Sequence, residues 1–302
     1  MMILNRWISR FRGGKKMEQR TEEWFIARRG RVTGSNVGAI LGVDPNRSRD
    51  DVMRAMVRDW HRAESEFVES QPIVLGRHHE EGAIIEYEMD TGGNVESCGF
   101  FVSEKYDWLG ASPDGLVGDD GLIEIKCKYR AKPSKDISEQ PHYYAQVQME
   151  MFCADKQWVD FFQWSAQGTM LERVERNQDY IDLMIPRLRE FYDEYLVERE
   201  MPNAEKYLDD LRVKVDSDEA KPMIDQYFEL GDMIEQATKK RKELLAAIVA
   251  VAGHKDAIIC GHKLTLVKRQ GAISYSTAIK ELMPDADLEQ WRGKETEFWR
   301  LA

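Results

Sequence analysis

The stretch Gly110-Ala111-Ser112-Pro113-Asp114-Gly115, followed soon after by Ile123-Glu124-Ile125-Lys126, constrains this chain more than any other part of it. Side chains in a strand alternate faces, so Glu124 and Lys126 share one face about 6–7 Å apart. Ile123, Ile125 and Cys127 then point to the other face, where apolar packing holds the strand rigid. Pro113 and Gly115 suit a tight turn that brings Asp114 towards Glu124. Between the two halves, Leu116 to Leu122 reads as a hairpin with Asp120-Gly121 as its turn. Two carboxylates and an ammonium thus converge, a set that can hold magnesium and face a lysine towards phosphate. A lone Glu-x-Lys is more often a solvated face, and Ser-Pro-Asp-Gly alone is an ordinary turn. Their order and spacing together favour the metal site.

At 302 residues the chain can bury one substantial core, or one domain with an appendage. No apolar run approaches the roughly 20 residues of a membrane span. Cys98, Cys127, Cys153 and Cys260 are scattered, with no C-x-x-C pair. They read as reduced, mostly buried thiols of a cytosolic protein, and not as a disulfide frame, a zinc site or an iron–sulfur site. A net charge of −11 argues against indiscriminate nucleic-acid binding over the whole surface; any such contact needs positive charge gathered in a channel. Residues 1–16 differ, carrying Arg6, Arg10, Arg12, Lys15 and Lys16 with no acid. They read as a disordered tail or as residues before a start at Met17, the alternative being an amphipathic segment that touches DNA or a partner. The segment lacks the pattern of a secretory signal.

Along the chain, a helix follows Thr21, and Thr33 or Ser35 suits the N-cap of a short helix ending at Gly42. Residues 48–66 read as a charged helix. Another runs from Gly76 to Met89, with Glu80 and Glu81 in its first turn, where the dipole favours carboxylates. Strands are expected at 94–102, 107–111, 122–128, 156–165 and 169–176. A helix at 139–154 carries Tyr143, Gln146 and Glu150 along one side. A helix at 178–199 contains Pro186, expected to kink or restart it. Beyond Met201-Pro202-Asn203, apolar residues from Met223 to Val251 recur at steps of four and three, a coiled-coil-like seam. A hairpin at 257–275, a small helix from Ser276 and an aromatic tail from Trp291 to Trp299 follow.

Five motifs occur in order: Trp24-x-x-x-Arg28-x-Gly30-x-x-Thr33-x-Ser35, Gly76-x-x-x-Glu80, Ser112-Pro113-Asp114-Gly115-Leu116, Glu124-x-Lys126-Cys127 and Tyr143-x-x-Gln146-Val147-Gln148. Jointly, over residues 24–196, they resemble the lambda exonuclease family, also called the YqaJ viral recombinase family, within the restriction-endonuclease-like nucleases. The resemblance implies an α/β fold: a central mixed β-sheet flanked by helices, here with a C-terminal coiled-coil-like helix and β-hairpin as an appendage. With the shifts in composition, the chain is expected to divide into the basic segment 1–16, an exonuclease core at 17–203 and an extension at 204–302.

The activity implied is metal-dependent 5′-to-3′ digestion of one strand of linear duplex DNA, leaving a 3′ single-stranded tail for recombination by annealing. The resemblance makes Asp114, Glu124, Glu80 and the Ile125 carbonyl ligands of two Mg2+ ions, for which Mn2+ can substitute. Lys126 orients and activates water, with Gln146 and Tyr143 in support, and Arg28, Ser35 and Ser112 grip a 5′-phosphate. The implied partners are duplex DNA ends, sister subunits of a homotrimeric ring and a single-strand annealing protein, in the cytoplasm of a bacterial host, with no membrane. One departure is Lys128, where the family usually has proline. The alternatives are an endonuclease on the same fold, and a non-catalytic scaffold that binds DNA ends.

Overall fold

The computed structural model of the protein describes residues 19–66, 71–127, 133, 135–212, 215 and 217–268. The chain divides between Arg212 and Val213 into two units.

The first unit is organised around β6 (Gly121–Cys127), a strand buried on both faces. Ile123 and Ile125 pack with Ala83, Tyr87 and Phe162 beneath helix α4 (Gln71–Thr91). On the other face, Leu122 packs with Val147, Met151 and Phe161 under helix α5 (Pro141–Ala154). Burying each such large aliphatic side chain contributes about 1.5–3 kcal/mol, so this strand is strongly held. It is the centre of a five-stranded sheet ordered β2-β5-β6-β7-β8. The flanking strands are β2 (Val95–Glu96), β5 (Gly115–Val117), β7 (Trp158–Ser165) and β8 (Gly168–Glu175). The β6–β7 pair is parallel and the others antiparallel, which makes the sheet mixed.

A smaller sheet orders β1 (Val32–Thr33), β4 (Leu109–Ala111) and β3 (Phe101–Val102) as β1-β4-β3. The chain passes from this sheet to the larger one through Ser112-Pro113-Asp114. Helix α1 (Glu22–Arg28) starts where the Thr21 hydroxyl accepts the Trp24 N–H, and α2 (Gly34–Ile40) follows β1 directly. Helix α3 (Arg49–Trp60) opens on a capping box between Ser48 and Asp51. Helix α6 (Gln178–Glu198) lays Ile181, Met184, Leu188, Phe191 and Tyr195 into the core shared by α2, α3 and β4.

Gly38 lets α2 approach the first turn of α5. A Cβ there would meet His142 Cβ at 2.7 Å and His142 Cα at 2.9 Å.

Five expectations are revised. The β5–β6 turn is the three-residue loop Gly118-Asp119-Asp120, with Gly118 in the left-handed region at φ +59. Gly121 instead pairs with Val117, and it is glycine for packing: a Cβ would lie 2.1 Å from the Trp158 ring. The strand expected at 94–102 is two short strands in different sheets, because the buried Cys98 and Phe100 turn the chain inward between them. Helix α4 begins at Gln71, with Pro72 in the first turn, where its missing N–H costs nothing. Glu80 is therefore well inside the helix, beyond the reach of its N-terminal dipole. Helix α6 does not restart at Pro186 but runs on as one helix, with Ile185 and Leu188 buried on either side. Lastly, the division falls after Arg212 and not after Asn203. The buried Arg58 guanidinium donates to the carbonyls of Tyr207 and Leu208 and to Asp210, tying the short helix α7 (Glu205–Leu208) and its exit to the first unit.

The second unit contains α8 (Ala220–Val251), a single 32-residue helix on which Met223, Tyr227, Leu230, Ile234, Leu244, Ile248 and Val251 are exposed. Strands β9 (Ala257–Ile259) and β10 (His262–Leu264) form a hairpin. Its two loop residues, Cys260 and Gly261, both have positive φ, as the twist of a two-residue hairpin demands. Segment 1–16, Met17, Lys128, the helix expected from Ser276 and the tail Trp291 to Trp299 lie outside the described residues. Among the described residues no helix is long and apolar enough to cross a membrane.

Candidate active site

The step between the two sheets places Asp114 beside β6. Its backbone N–H donates to the Ile123 carbonyl at 3.1 Å, and its Oδ2 accepts the Ile125 N–H at 2.7 Å. The carboxylate is thereby locked against the strand that carries Glu124 and Lys126. Alternation does the rest: Glu124 and Lys126 emerge on the α5 face, opposite Ile123 and Ile125. Lys126 Nζ donates to Glu124 Oε1 at 2.6 Å and to Gln146 Oε1 at 3.3 Å, and it lies 4.8 Å from the Tyr143 ring centroid. Gln146 Nε2 donates to Glu124 Oε1 at 2.6 Å and to Glu150 Oε1 at 2.8 Å. Asp114, Glu124, Lys126, Gln146 and Tyr143 therefore do meet.

The electrostatics are those of crowded carboxylates. Loss of solvent, then the charges of Glu124 and Glu80, push the Asp114 carboxyl well above the usual range. Burial and the charge of Glu124 push Glu150 the same way. For Lys126, burial opposes the ammonium, but the charges of Glu124, Tyr143 and Asp114 outweigh it and hold the pKa above the usual lysine range. Lys126 is thus a cation here, suited to donating hydrogen bonds and offsetting negative charge.

Glu80 makes an ion pair outside the expected set. It pairs with Arg20 at 3.1 Å, although its charge still reaches Asp114. Among the described residues no three carboxylate, imidazole or thiol groups converge as a closed metal cage. The donor chemistry nonetheless fits a hard divalent cation. Asp114 and Glu124 carry oxygens of the kind such a cation takes, and among the described residues Glu124 Oε2 is buried without a hydrogen-bond partner. Buried carboxylate oxygens left unpaired are costly, and a cation with its waters is what would satisfy them.

A second cluster adjoins the first. The Arg28 guanidinium lies over the Trp24 ring at 4.1 Å and reaches the hydroxyls of Thr33 and Ser35, each at 3.4 Å. The Trp24 indole N–H donates to Ser112 Oγ at 2.8 Å. Burial pushes the Arg28 pKa down to about 10, which leaves it a cation at neutral pH. Arg28, Ser35 and Ser112 are thus brought together by way of Trp24, and Ser112 is two residues from Asp114. A cation among hydroxyls offers the donors that an anion would take. Thr33 and Trp24 take part in this cluster although the sequence offered Trp24 only a motif position and Thr33 a motif position and a helix cap. Glu150 is the other residue missed: its helical spacing from Gln146 was visible, but nothing in the sequence said that it would be buried against the site.

A sequence profile of the YqaJ-like viral recombinase domain matches residues 23–157. Among solved structures, the chain is similar to an alkaline exonuclease (LHK-Exo) from Laribacter hongkongensis, at 30% identity and TM-score 0.53, over 62% of this chain and 98% of that one. A second structure, of LHK-Exo in complex with dAMP, matches with the same figures. Comparison with the curated proteins returns no match. The mixed sheet flanked by helices is accordingly the restriction-endonuclease-like fold of these exonucleases. On the profile, the fold and a relative matched over nearly its whole length, the chain belongs to the YqaJ-like viral recombinase family, that of the alkaline exonucleases.

Proposed function

We propose that the protein is a divalent-cation-dependent exonuclease that digests one strand of linear duplex DNA from its 5′ end and leaves a 3′ tail for annealing. The observation that carries this reading is the contiguity of the two clusters, an anion site at Arg28, Ser35 and Ser112 beside the carboxylates and Lys126. Asp114, Glu124 and the Ile125 carbonyl would hold the ions, with Glu80 contributing once freed from Arg20. Two magnesium ions, when bound, stabilise the attacking and leaving oxygens of the phosphodiester. Arg28 and the two serines hold the terminal phosphate and so set which bond is presented. Lys126 orients water by donation and offsets charge growing on the phosphoryl oxygens. Gln146 and Tyr143 hold Lys126 in place.

The family resemblance supports a homotrimeric ring around the DNA, an annealing protein as partner and action in the cytoplasm of a bacterial host. A ring confines the electrostatic attraction to its channel, which reconciles DNA handling with the acidic total. A non-catalytic end-binding scaffold would have no use for Asp114, Glu124, Lys126 and Gln146 in contact. Incubation with 5′-phosphorylated linear duplex and with closed circular DNA, each with magnesium or chelator, tests the reading. Magnesium-dependent shortening of the linear substrate alone is expected; cutting of circles would make it an endonuclease. Lys126→Ala should abolish cleavage while DNA binding in a mobility-shift assay persists, and near-normal turnover would remove Lys126 from the chemistry.

A further inference from the structure

We propose that Glu150 is a positioning residue that fixes the orientation of the Gln146 amide, and through it the place of Lys126; its catalytic consequence rests on the nuclease reading above. The two hydrogens of Gln146 Nε2 are both used, towards Glu124 Oε1 at 2.6 Å and Glu150 Oε1 at 2.8 Å. That leaves Gln146 Oε1 to accept from Lys126 Nζ at 3.3 Å. Turned end for end, the amide would set its oxygen against two carboxylate oxygens and its NH2 against an ammonium. Every present contact would become a repulsion.

Glu124 alone does not secure this arrangement. Without Glu150 one amide hydrogen would face a dry space unpaired, a penalty relieved by swinging Gln146 away from Lys126. Glu150 is itself confined. It lies one helical turn after Gln146, on the same face of α5. It is 1% exposed, and a Cβ built on Gly34 of α2 would sit 3.6 Å from its Cγ and from its Oε1. Its neighbours in sequence serve the core instead, Met149 in one apolar cluster and Val147 and Met151 in another. Its Oε2 has no hydrogen-bond partner among the described residues, unlike most buried polar atoms of a purely structural kind.

The test is a double-mutant cycle on the full chain: Glu150→Leu, Gln146→Ala and the pair. It is read by kcat and KM on 5′-phosphorylated duplex, by magnesium calorimetry and by thermal midpoint. Glu150→Leu should lower kcat about 10- to 100-fold, the loss expected for one hydrogen bond to a charged group. KM and magnesium affinity should stay within about twofold, and the same change should cost less than about twofold when Gln146 is already alanine. Glu150→Gln keeps a carbonyl acceptor and should restore most of kcat. An equal kcat loss in both backgrounds overturns the proposal, as does loss of magnesium affinity, which would make Glu150 a ligand. Glu150→Ala adds no bulk and carries the cycle if Glu150→Leu does not fold. If the unmodified chain cleaves nothing, the nuclease reading fails separately. The crystal structure of a Glu150 variant then decides, because a Gln146 still bridging Glu124 and Lys126 refutes the positioning role.

Discussion

Replacing Gly38 by alanine probes whether the approach of α2 to α5 is as tight as it looks. The added methyl carbon would stand 2.7 Å from His142 Cβ and 2.9 Å from His142 Cα, against an ordinary carbon–carbon contact of about 3.5–4.0 Å. Both atoms belong to the backbone end of the residue, so no flexible tip can move aside. The helices must part by most of an ångström. Overpacking of this kind costs about 1–3 kcal/mol, and the better helix propensity of alanine returns about 1 kcal/mol. The net loss of about 0–2 kcal/mol should lower the thermal midpoint by up to about 8 °C in a unit of this size. Activity should suffer more. Thr33 and Ser35 stand at the start of α2, whereas Tyr143 and Gln146 lie on the first turns of α5, and an error of about 1 Å between reacting groups can cost about 100-fold in rate. Gly82→Ala is the control, since a Cβ there meets nothing within 4 Å and the site is exposed on α4. It should gain about 0.5–1 kcal/mol of stability and leave the rate unchanged. Thermal denaturation and initial rates on linear duplex read both variants. If the two behave alike, the helices are not in the contact described.

Arg28→Ala removes the cation of the anion site, so the preference for 5′-phosphorylated over 5′-hydroxyl duplex should shrink by about 10- to 100-fold in competitive digestion. Asp114 and Glu150 have raised pKa values, so without metal their stability contribution is present at acid pH and lost as pH rises through those values. Magnesium should consequently raise the thermal midpoint more at alkaline than at mildly acid pH; an equal rise at both would count against ion binding by Asp114. A chain ended after Arg212 should keep the melting transition of the first unit. One ended after Asn203 should lose it, since Ala204 is fully buried and the buried Arg58 would lose the carbonyls of Tyr207 and Leu208 and the carboxylate of Asp210.

How much of this was legible in the sequence depended on the range of the determining contacts. The face shared by Glu124 and Lys126 follows from strand alternation alone and holds. The apolar residues of β6 and the α5 stripe likewise fix themselves through period. The β5–β6 turn was misplaced because Gly121 looks like a turn glycine, whereas the ring that requires it, Trp158, comes much later in the chain. The break at Cys98 to Phe100 was invisible for a similar reason: Phe100 packs over Gly110, and only the fold brings them together. The start of α4 was hidden by reading Gly76 as a beginning when Pro72 marked it. The Arg20–Glu80 ion pair was likewise beyond reach, because Arg20 belongs to no motif.

The passage through Ser112, Pro113 and Asp114 carries a consequence for the product. Two residues of chain span at most about 7 Å, even fully extended. On the proposed roles, the group that senses the strand's end and the group that cuts it are joined by that covalent link, braced by Trp24 on one side and by the Ile125 N–H on the other. Such a link works as a ruler. The length of the fragment released at each step would then be set by the backbone, whatever the base.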